Sequence, residues 1–241
     1  MDTPLSGKVA VVTGASAGIG QAIARNLADG GARLLLVARR RDRLEALAAE
    51  LPTETATLAI DVADRTAAEL MLAAAADRFG RADILVNNAG IFRVGPVDSF
   101  DLDDLGPLIA LNYEAVVRAS YVFARAMKRQ GSGAIINISS IGANLVTPTG
   151  GVYCGLKRAV EIFSDSLRIS LAGTGVRVGI VAPGTTATEI FDHMPGNAPA
   201  AATPITPLLP EDVAVAVRFL IDQPEHANIP HLRLYASEQQ Q

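Results

Sequence analysis

Cysteine occurs once in the 241 residues, at Cys154. No intrachain disulfide can form, and a reducing compartment suits the chain. Positive charge is scarce in runs: only Arg39-Arg40-Arg41 breaks the pattern, and the formal net charge is -4. Nucleic acid is therefore not an expected partner. No apolar run reaches the ~18 residues that a membrane span needs. Met1 to Lys8 is polar and has no apolar signal core. These absences lead us to expect a cytoplasmic protein with no membrane partner. Histidine occurs at His193, His226 and His231, near a loop and the C-terminus and without ligand spacing, so no metal centre is expected. Repeats are absent, and the nearest approach to low complexity is the Ala/Pro-rich stretch from Asn197 to Pro207.

The chain does have apolar residues in plenty, 49% of the total, enough for a large core. Its length exceeds that of a usual domain, but α/β folds of this size form a single one, so residues 1–241 are expected to be one domain. Val9 to Thr13 is a β-branched apolar run, hence a buried strand. It ends in Thr13-Gly14-Ala15-Ser16-Ala17-Gly18-Ile19-Gly20, and a helix pattern follows from Gln21 to Asp29. Strand, glycine-rich turn and helix is the context in which a glycine motif binds a dinucleotide. The glycines let amides approach a pyrophosphate and the helix N-terminus adds partial positive charge; a plain tight turn is the alternative.

The second strand is expected over Arg33 to Val37. The acidic residue that would hold a ribose 2′-hydroxyl at its end is missing. Ala38 stands there, followed by Arg39, Arg40 and Arg41. A guanidinium binds a 2′-phosphate that a carboxylate would repel, which predicts NADP(H), with Arg39 as the contact and Arg41 and Arg43 as a solvated helix start. Helix Arg41 to Glu50 leads to strand Thr57 to Ile60 and then Asp61-Val62. Asp61 either accepts from an adenine amino group or caps a helix from Arg65 to Phe79. Strand Ile84 to Val86 ends in Asn87-Asn88-Ala89-Gly90, where the asparagines hold a turn or floor a ribose.

Leu105 to Lys128 reads as one long helix. Asn112, a poor interior helix residue, marks either a kink that frees a carbonyl for water or a surface position. Strand Ala134 to Ile138 precedes Ser139-Ser140. Helix Val152 to Leu171 carries Tyr153 and Lys157, four residues apart and so on one face. An ammonium there would favour the phenolate and lower the tyrosine pKa from ~10, making the pair a candidate general acid/base. Strand Val176 to Val181 is followed by Ala182-Pro183-Gly184-Thr185-Thr186-Ala187-Thr188-Glu189. Residues from about Ile190 to Leu209 lack periodicity and read as a substrate loop or lid. A helix from Glu211 to Ile221 and a strand from His231 to Tyr235 complete the chain. The alternation predicts a mostly parallel sheet with helices on both faces.

In order and spacing these motifs resemble the short-chain dehydrogenase/reductase family, from Gly7 to about Tyr235. The resemblance implies a Rossmann-type, doubly wound, seven-stranded α/β sheet and hydride transfer between NADP(H) and a carbonyl or secondary alcohol. It implies Tyr153 as general acid in reduction, Ser140 (13 residues earlier) rather than Ser139 as the substrate-orienting hydroxyl, and Lys157 on the nicotinamide ribose. Asn112 would anchor a water in a proton relay, and Thr188 would contact the carboxamide. The implied cofactor positions are Gly14, Ser16, Gly18, Ile19 and Gly20 in the loop, Arg39 at the second strand, and Asp61 and Val62 at the third. Asn88, Ala89 and Gly90, then Pro183, Gly184, Thr186 and Thr188, with Tyr153 and Lys157, complete them.

A homodimer or homotetramer is expected from the apolar surface of the two long helices and from the family. Ala17 stands where many NADP-preferring members carry a basic residue, so selectivity would rest on Arg39. Gly155 and Leu156 depart from the usual Ala/Ser and Ser/Thr before the lysine, so a local hydrogen bond is expected to be missing. The Thr185-Thr186 stretch, with His226-Ala-Asn-Ile, is similar to bacterial reductases of the clavulanate-dehydrogenase type. An NAD-dependent alcohol dehydrogenase and a catalytically silent nucleotide sensor stay open as alternatives. The expected pocket residues Phe92, Leu145, Val146, Phe191 and Met194 favour a neutral or weakly polar carbonyl; Arg93 is either an exception or a solvated loop arginine.

Overall fold

The computed structural model describes residues 4–191 and 205–239. Seven strands form one sheet: β1 (Val9–Thr13), β2 (Arg33–Ala38), β3 (Thr55–Ala59), β4 (Ile84–Asn87), β5 (Gly133–Ile138), β6 (Val176–Pro183) and β7 (His231–Leu234). Their order is β3-β2-β1-β4-β5-β6-β7, and every pairing is parallel. This is the Rossmann-type sheet expected from the alternation of strands and helices.

Side chains alternate across the sheet with the period of two that a strand imposes. Ala10, Val12, Leu34, Leu36, Val86 and Ile136 face one core layer, with Leu27, Leu44 and Val217 of the covering helices. Val9, Val11, Leu35, Val37, Leu85 and Ile135 face the other, against Met71, Phe123, Met127 and Leu167. The first layer is closed by α1 (Gly18–Asp29), α2 (Arg41–Glu50) and α7 (Pro210–Ile221), the second by α3 (Ala67–Phe79), α5 (Ala115–Gln130) and α6 (Gly151–Ser170). Burial on both faces is why these strands read as continuous apolar runs.

Several boundaries differ from the sequence reading, each for a physical reason. α1 begins at Gly18, inside the glycine motif. α3 starts at Ala67 rather than Arg65, and Asp61 caps no helix; its Oδ1 accepts from Ala63 N at 3.0 Å in a local turn. The single long helix expected over Leu105 to Lys128 is α4 (Leu105–Ile109), a π-helical turn (Ala110–Glu114) and α5. The side chain of Asn112, at the centre of that turn, grips the Ile91 backbone, with Ile91 N donating to Oδ1 at 3.2 Å and Nδ2 donating to Ile91 O at 3.0 Å. A π turn re-aims one residue without ending the helix.

α1 and α7 pack so closely that a Cβ on Gly30 would lie 1.9 Å from Arg218 Nη1. The expected lid falls mostly on residues 192–204, with His193 and Met194, outside the described residues. Among the described residues no helix is long and apolar enough to cross a membrane.

Candidate active site

The sheet order reverses between β1 and β4: β2 and β3 lie on one side, and β4 to β7 on the other. In open parallel sheets this switch point leaves a crevice beyond the carboxyl ends of the strands, where ligands bind. Here the crevice is stitched by Thr13 and Asn88. Thr13 Oγ1 donates to Val86 O at 3.3 Å and accepts from Asn88 N at 3.0 Å and Ala89 N at 3.1 Å. Asn88 Nδ2 donates to Thr13 O at 2.9 Å. Asn88 and Ala89 therefore stand directly beside the glycine loop, and Gly90 follows them toward Asn112 and Lys157. Asn87 does something else: it turns into the core, donating to Asn137 Oδ1 at 2.8 Å and Ser120 Oγ at 3.0 Å. That buried network, extended by Asn137 Nδ2 to Ser164 Oγ at 2.8 Å, was missed in the sequence because polar residues in strands carry no partner signal.

The glycine loop fits a bound pyrophosphate. Gly14 has φ +67° and Gly18 φ +53°, a region L side chains rarely adopt. A Cβ on Gly20 would sit 2.3 Å from Gly14 O and 2.5 Å from Asn88 Nδ2. The N-cap of α1 is Ala17, and no side chain caps the helix, so its first amides are left facing the crevice for an anion. Thr188 reaches the same place from the far side, its Cγ2 3.1 Å from where a Gly18 Cβ would be. Thr186 is placed differently: its hydroxyl is buried and turns back to Gly184 O at 3.0 Å.

Ser140, Tyr153, Lys157 and Asn112 converge at the ends of β4 and β5. A Cβ on Gly142 would lie 3.3 Å from Ser140 Oγ and 3.7 Å from Tyr153 Cε1, so the Ser140 hydroxyl stands beside the Tyr153 ring, where it accepts from Gly142 N at 3.1 Å. Ser139 points away, donating to the buried Glu161 carboxylate at 3.1 Å, so of the two serines only Ser140 meets the tyrosine. Lys157 Nζ donates to Ile138 O at 3.0 Å and lies 5.8 Å from the Tyr153 ring centroid. A Cβ on Gly90 would be 3.8 Å from Lys157 Nζ and 2.8 Å from Asn112 Oδ1, which puts these two side chains beside one glycine. Phe92 packs edge-on against Tyr153 at 4.7 Å between centroids.

The electrostatics correct one expectation. Burial pushes the Tyr153 phenol up to about 12, with the Ser140 hydrogen bond opposing it, instead of the lysine drawing it down. Burial also lowers Lys157 to about 8. Desolvation wins because the ammonium sits on a carbonyl and is not against the phenol oxygen.

Other placements are mixed. Gly155 is exposed, and nothing lies within 4 Å of a Cβ built there. Beside Leu156 no buried polar atom is stranded among the described residues, so the expected missing hydrogen bond leaves no orphan. Val146, expected in the pocket, is fully exposed. Arg93 is half-buried and paired: its Nε lies 3.7 Å from Asp104 and its Nη1 donates to Phe92 O at 2.9 Å.

At the end of β2, Arg39 is 73% exposed, with Asp61 at 3.9 Å. Arg40 is the residue that reaches the glycine loop, with Nε and Nη2 at 3.1 and 3.0 Å from Ser16 Oγ. Arg43, expected to be solvated, is paired with Glu189 at 2.8 Å. The arginine run was visible in the sequence, but which of its members turns inward depends on where α2 starts.

The comparisons agree with this geometry. A family model described as short chain dehydrogenase matches residues 8–197. An uncharacterized oxidoreductase of Staphylococcus saprophyticus is 32% identical over 240 residues, covering 96% of this chain and 97% of that protein. Among solved structures, the closed form of a serine dehydrogenase complexed with NADP+ superposes with a TM-score of 0.86 at 35% identity over 93% of each chain. An alcohol dehydrogenase from the archaeon Thermococcus sibiricus, complexed with 5-hydroxy-NADP, gives 0.85 at 32% identity over 97% of this chain and 98% of its own. Fold, site and relatives together make this chain an oxidoreductase of the short-chain dehydrogenase family.

Proposed function

We propose that the protein is an NADP(H)-dependent carbonyl reductase or alcohol dehydrogenase in which Tyr153 is the general acid/base. The observation that carries this reading is the convergence of the Ser140 hydroxyl and the Tyr153 ring on Gly142, with Lys157 Nζ 5.8 Å from that ring, at the switch point next to a glycine loop fitted for a pyrophosphate. The nicotinamide, when bound, supplies or accepts the hydride; the chain holds, orients and protonates. Gly14, Ser16, Gly18, Ile19 and Gly20 would hold the pyrophosphate, and Asn88, Ala89 and Gly90 the adjoining ribose. Thr188 and the Pro183–Gly184 turn would face the nicotinamide. Ser140 Oγ and the phenol orient a carbonyl oxygen between them. A phenol kept protonated by burial is suited to donating to a developing alkoxide. Lys157 keeps positive charge near the phenolate that remains, and Asn112 shapes the route by which a proton returns.

Preference for the 2′-phosphorylated cofactor is supported by the missing acid at Ala38, by Arg39 and Arg40, and by the NADP-type ligands in both solved relatives. Their printed names, a serine dehydrogenase and an alcohol dehydrogenase, make small hydroxy compounds the first substrates to try. We further propose a homodimer or homotetramer, since α5 and α6 leave Tyr121, Ile162 and Ile169 about half or more exposed.

The test is a carbonyl and alcohol panel run with both cofactors on wild type and on Tyr153→Phe. We expect turnover with NADPH and a loss of roughly 10²–10⁴-fold in the variant, with NADPH fluorescence titration unchanged. A variant that turns over near the wild-type rate would sink the assignment of Tyr153. Tighter binding of NADH than NADPH would sink the cofactor reading.

A further inference from the structure

Glu189 follows Thr188 where the chain leaves β6, far in sequence from the end of β2. Its carboxylate nevertheless accepts from Arg40 Nη1 at 3.0 Å and from Arg43 Nη1 at 2.8 and 3.0 Å. The other two nitrogens of Arg40 point at Ser16 Oγ in the glycine loop. One guanidinium thus joins the loop to the segment after β6, and its third nitrogen donates to a carboxylate. The three side chains are 42%, 43% and 50% exposed, so each pair adds little to stability. The two guanidiniums hold the Glu189 carboxyl below its ordinary range, so it is ionised throughout the neutral range.

The same accounting holds along the arginine run. Arg39 has Asp61 at 3.9 Å and Arg41 has Glu45 at 3.7 Å. Every arginine at the end of β2 therefore has a carboxylate of this chain beside it. In this topology the end of β2 meets the adenosine ribose. A 2′-phosphate there carries about -1.5 to -2 charge and seeks the same guanidinium and hydroxyl donors. Glu189 competes for those donors and repels the newcomer.

We propose that Glu189 is a specificity-determining residue that restrains 2′-phosphate binding. As an internal counter-anion it occupies Arg40 and Arg43, and a 2′-phosphorylated adenosine must displace its carboxylate from Arg40. A ligand without that phosphate meets no such competition. The inference rests on reading the end of β2 as the 2′-phosphate end. It goes further in making Glu189 a brake on the selectivity that the arginines supply.

Calorimetric titration with adenosine 2′,5′-bisphosphate and with 5′-AMP tests this without any substrate or turnover. Wild type, Glu189→Gln and Glu45→Gln are compared, the last removing the same charge from a solvated pair on α2. Glu189→Gln is expected to bind the bisphosphate roughly five- to ten-fold tighter, the size for removing a unit charge about 6 Å from a doubly charged phosphate at water-like screening. Its affinity for 5′-AMP stays the same, and Glu45→Gln changes neither. Unchanged or weaker bisphosphate binding in Glu189→Gln, or an equal gain for both ligands, overturns the proposal. The wild-type ratio of the two ligands separately reads the cofactor assignment: equal affinities would refute that assignment, whereas the variant-to-wild-type ratio reads Glu189 alone.

Discussion

Tyr153 and Lys157 are both buried, and burial works on them in opposite directions. It keeps the phenol protonated up to about 12 and lets the ammonium lose its proton near about 8. The consequences for the two reaction directions have opposite signs. In the proposed mechanism reduction needs the protonated phenol and the charged lysine, so its kcat/KM should be level below about 8 and fall above it, as Lys157 discharges. Oxidation needs the phenol to give up its proton, so its rate should climb with pH over the same range. Initial rates in both directions across a pH series check this; a reduction rate that rises through pH 8 would mean that Lys157 is not the titrating group. At this scale the sequence singled out Tyr153, Lys157, Ser140 and Asn112, which the structure brings to one end of the sheet. It put the sign of the tyrosine shift wrong, because four-residue spacing places two side chains on one face without saying how much water reaches them.

At the scale of elements, α6 shows how an atypical sequence can be harmless. Gly155 sits midway in sequence between the two catalytic candidates, Tyr153 and Lys157, yet it faces outward into open space. Replacing it with alanine should stabilise the protein by about 0.5–1 kcal/mol, the ordinary difference between the two residues in a helix interior, with turnover kept. Urea unfolding monitored by circular dichroism checks the first part, and a loss of stability would show that the outward face is in contact after all. The π turn is the opposite case. Asn112 was legible as an odd helix residue, but its side chain turning onto the backbone of Ile91, 21 residues away, was not. Glu161 was not legible at all. This acid is fully buried on α6 and holds Ser139 and Asn144 at the two ends of the short segment that carries Ser140, with Arg158 at 3.0 Å as its counter-charge. In the sequence it reads as one more polar position of an amphipathic helix.

For the whole molecule, the sheet buries both its faces, while the outer sides of α5 and α6 stay partly apolar. Tyr121 and Phe163 stack edge-on at 5.5 Å across the two helices, and Ile162 and Ile169 continue the strip. If the proposed oligomer forms there, light scattering on the purified protein should give two or four times the 25.1 kDa of one chain. The double variant Ile162→Asp, Ile169→Asp should fall to the mass of one chain with its circular dichroism spectrum intact. A wild type that already elutes as a single chain would remove the proposal.

By itself the sequence determined the local and the repetitive. β-branched runs became buried strands, glycines stood where the backbone must turn or come close, and the alternation of elements required a parallel, doubly covered sheet. These depend on neighbours within a few residues, and local sterics and side-chain period are enough to read them. Only the tertiary structure decided which arginine of the run reaches the glycine loop, that Asn112 grips the backbone of Ile91, and that Glu189 closes on Arg40 and Arg43 from a distant part of the chain. Those outcomes turn on long-range contacts and on the loss of water around a side chain. Neither is a property of a residue and its neighbours in sequence.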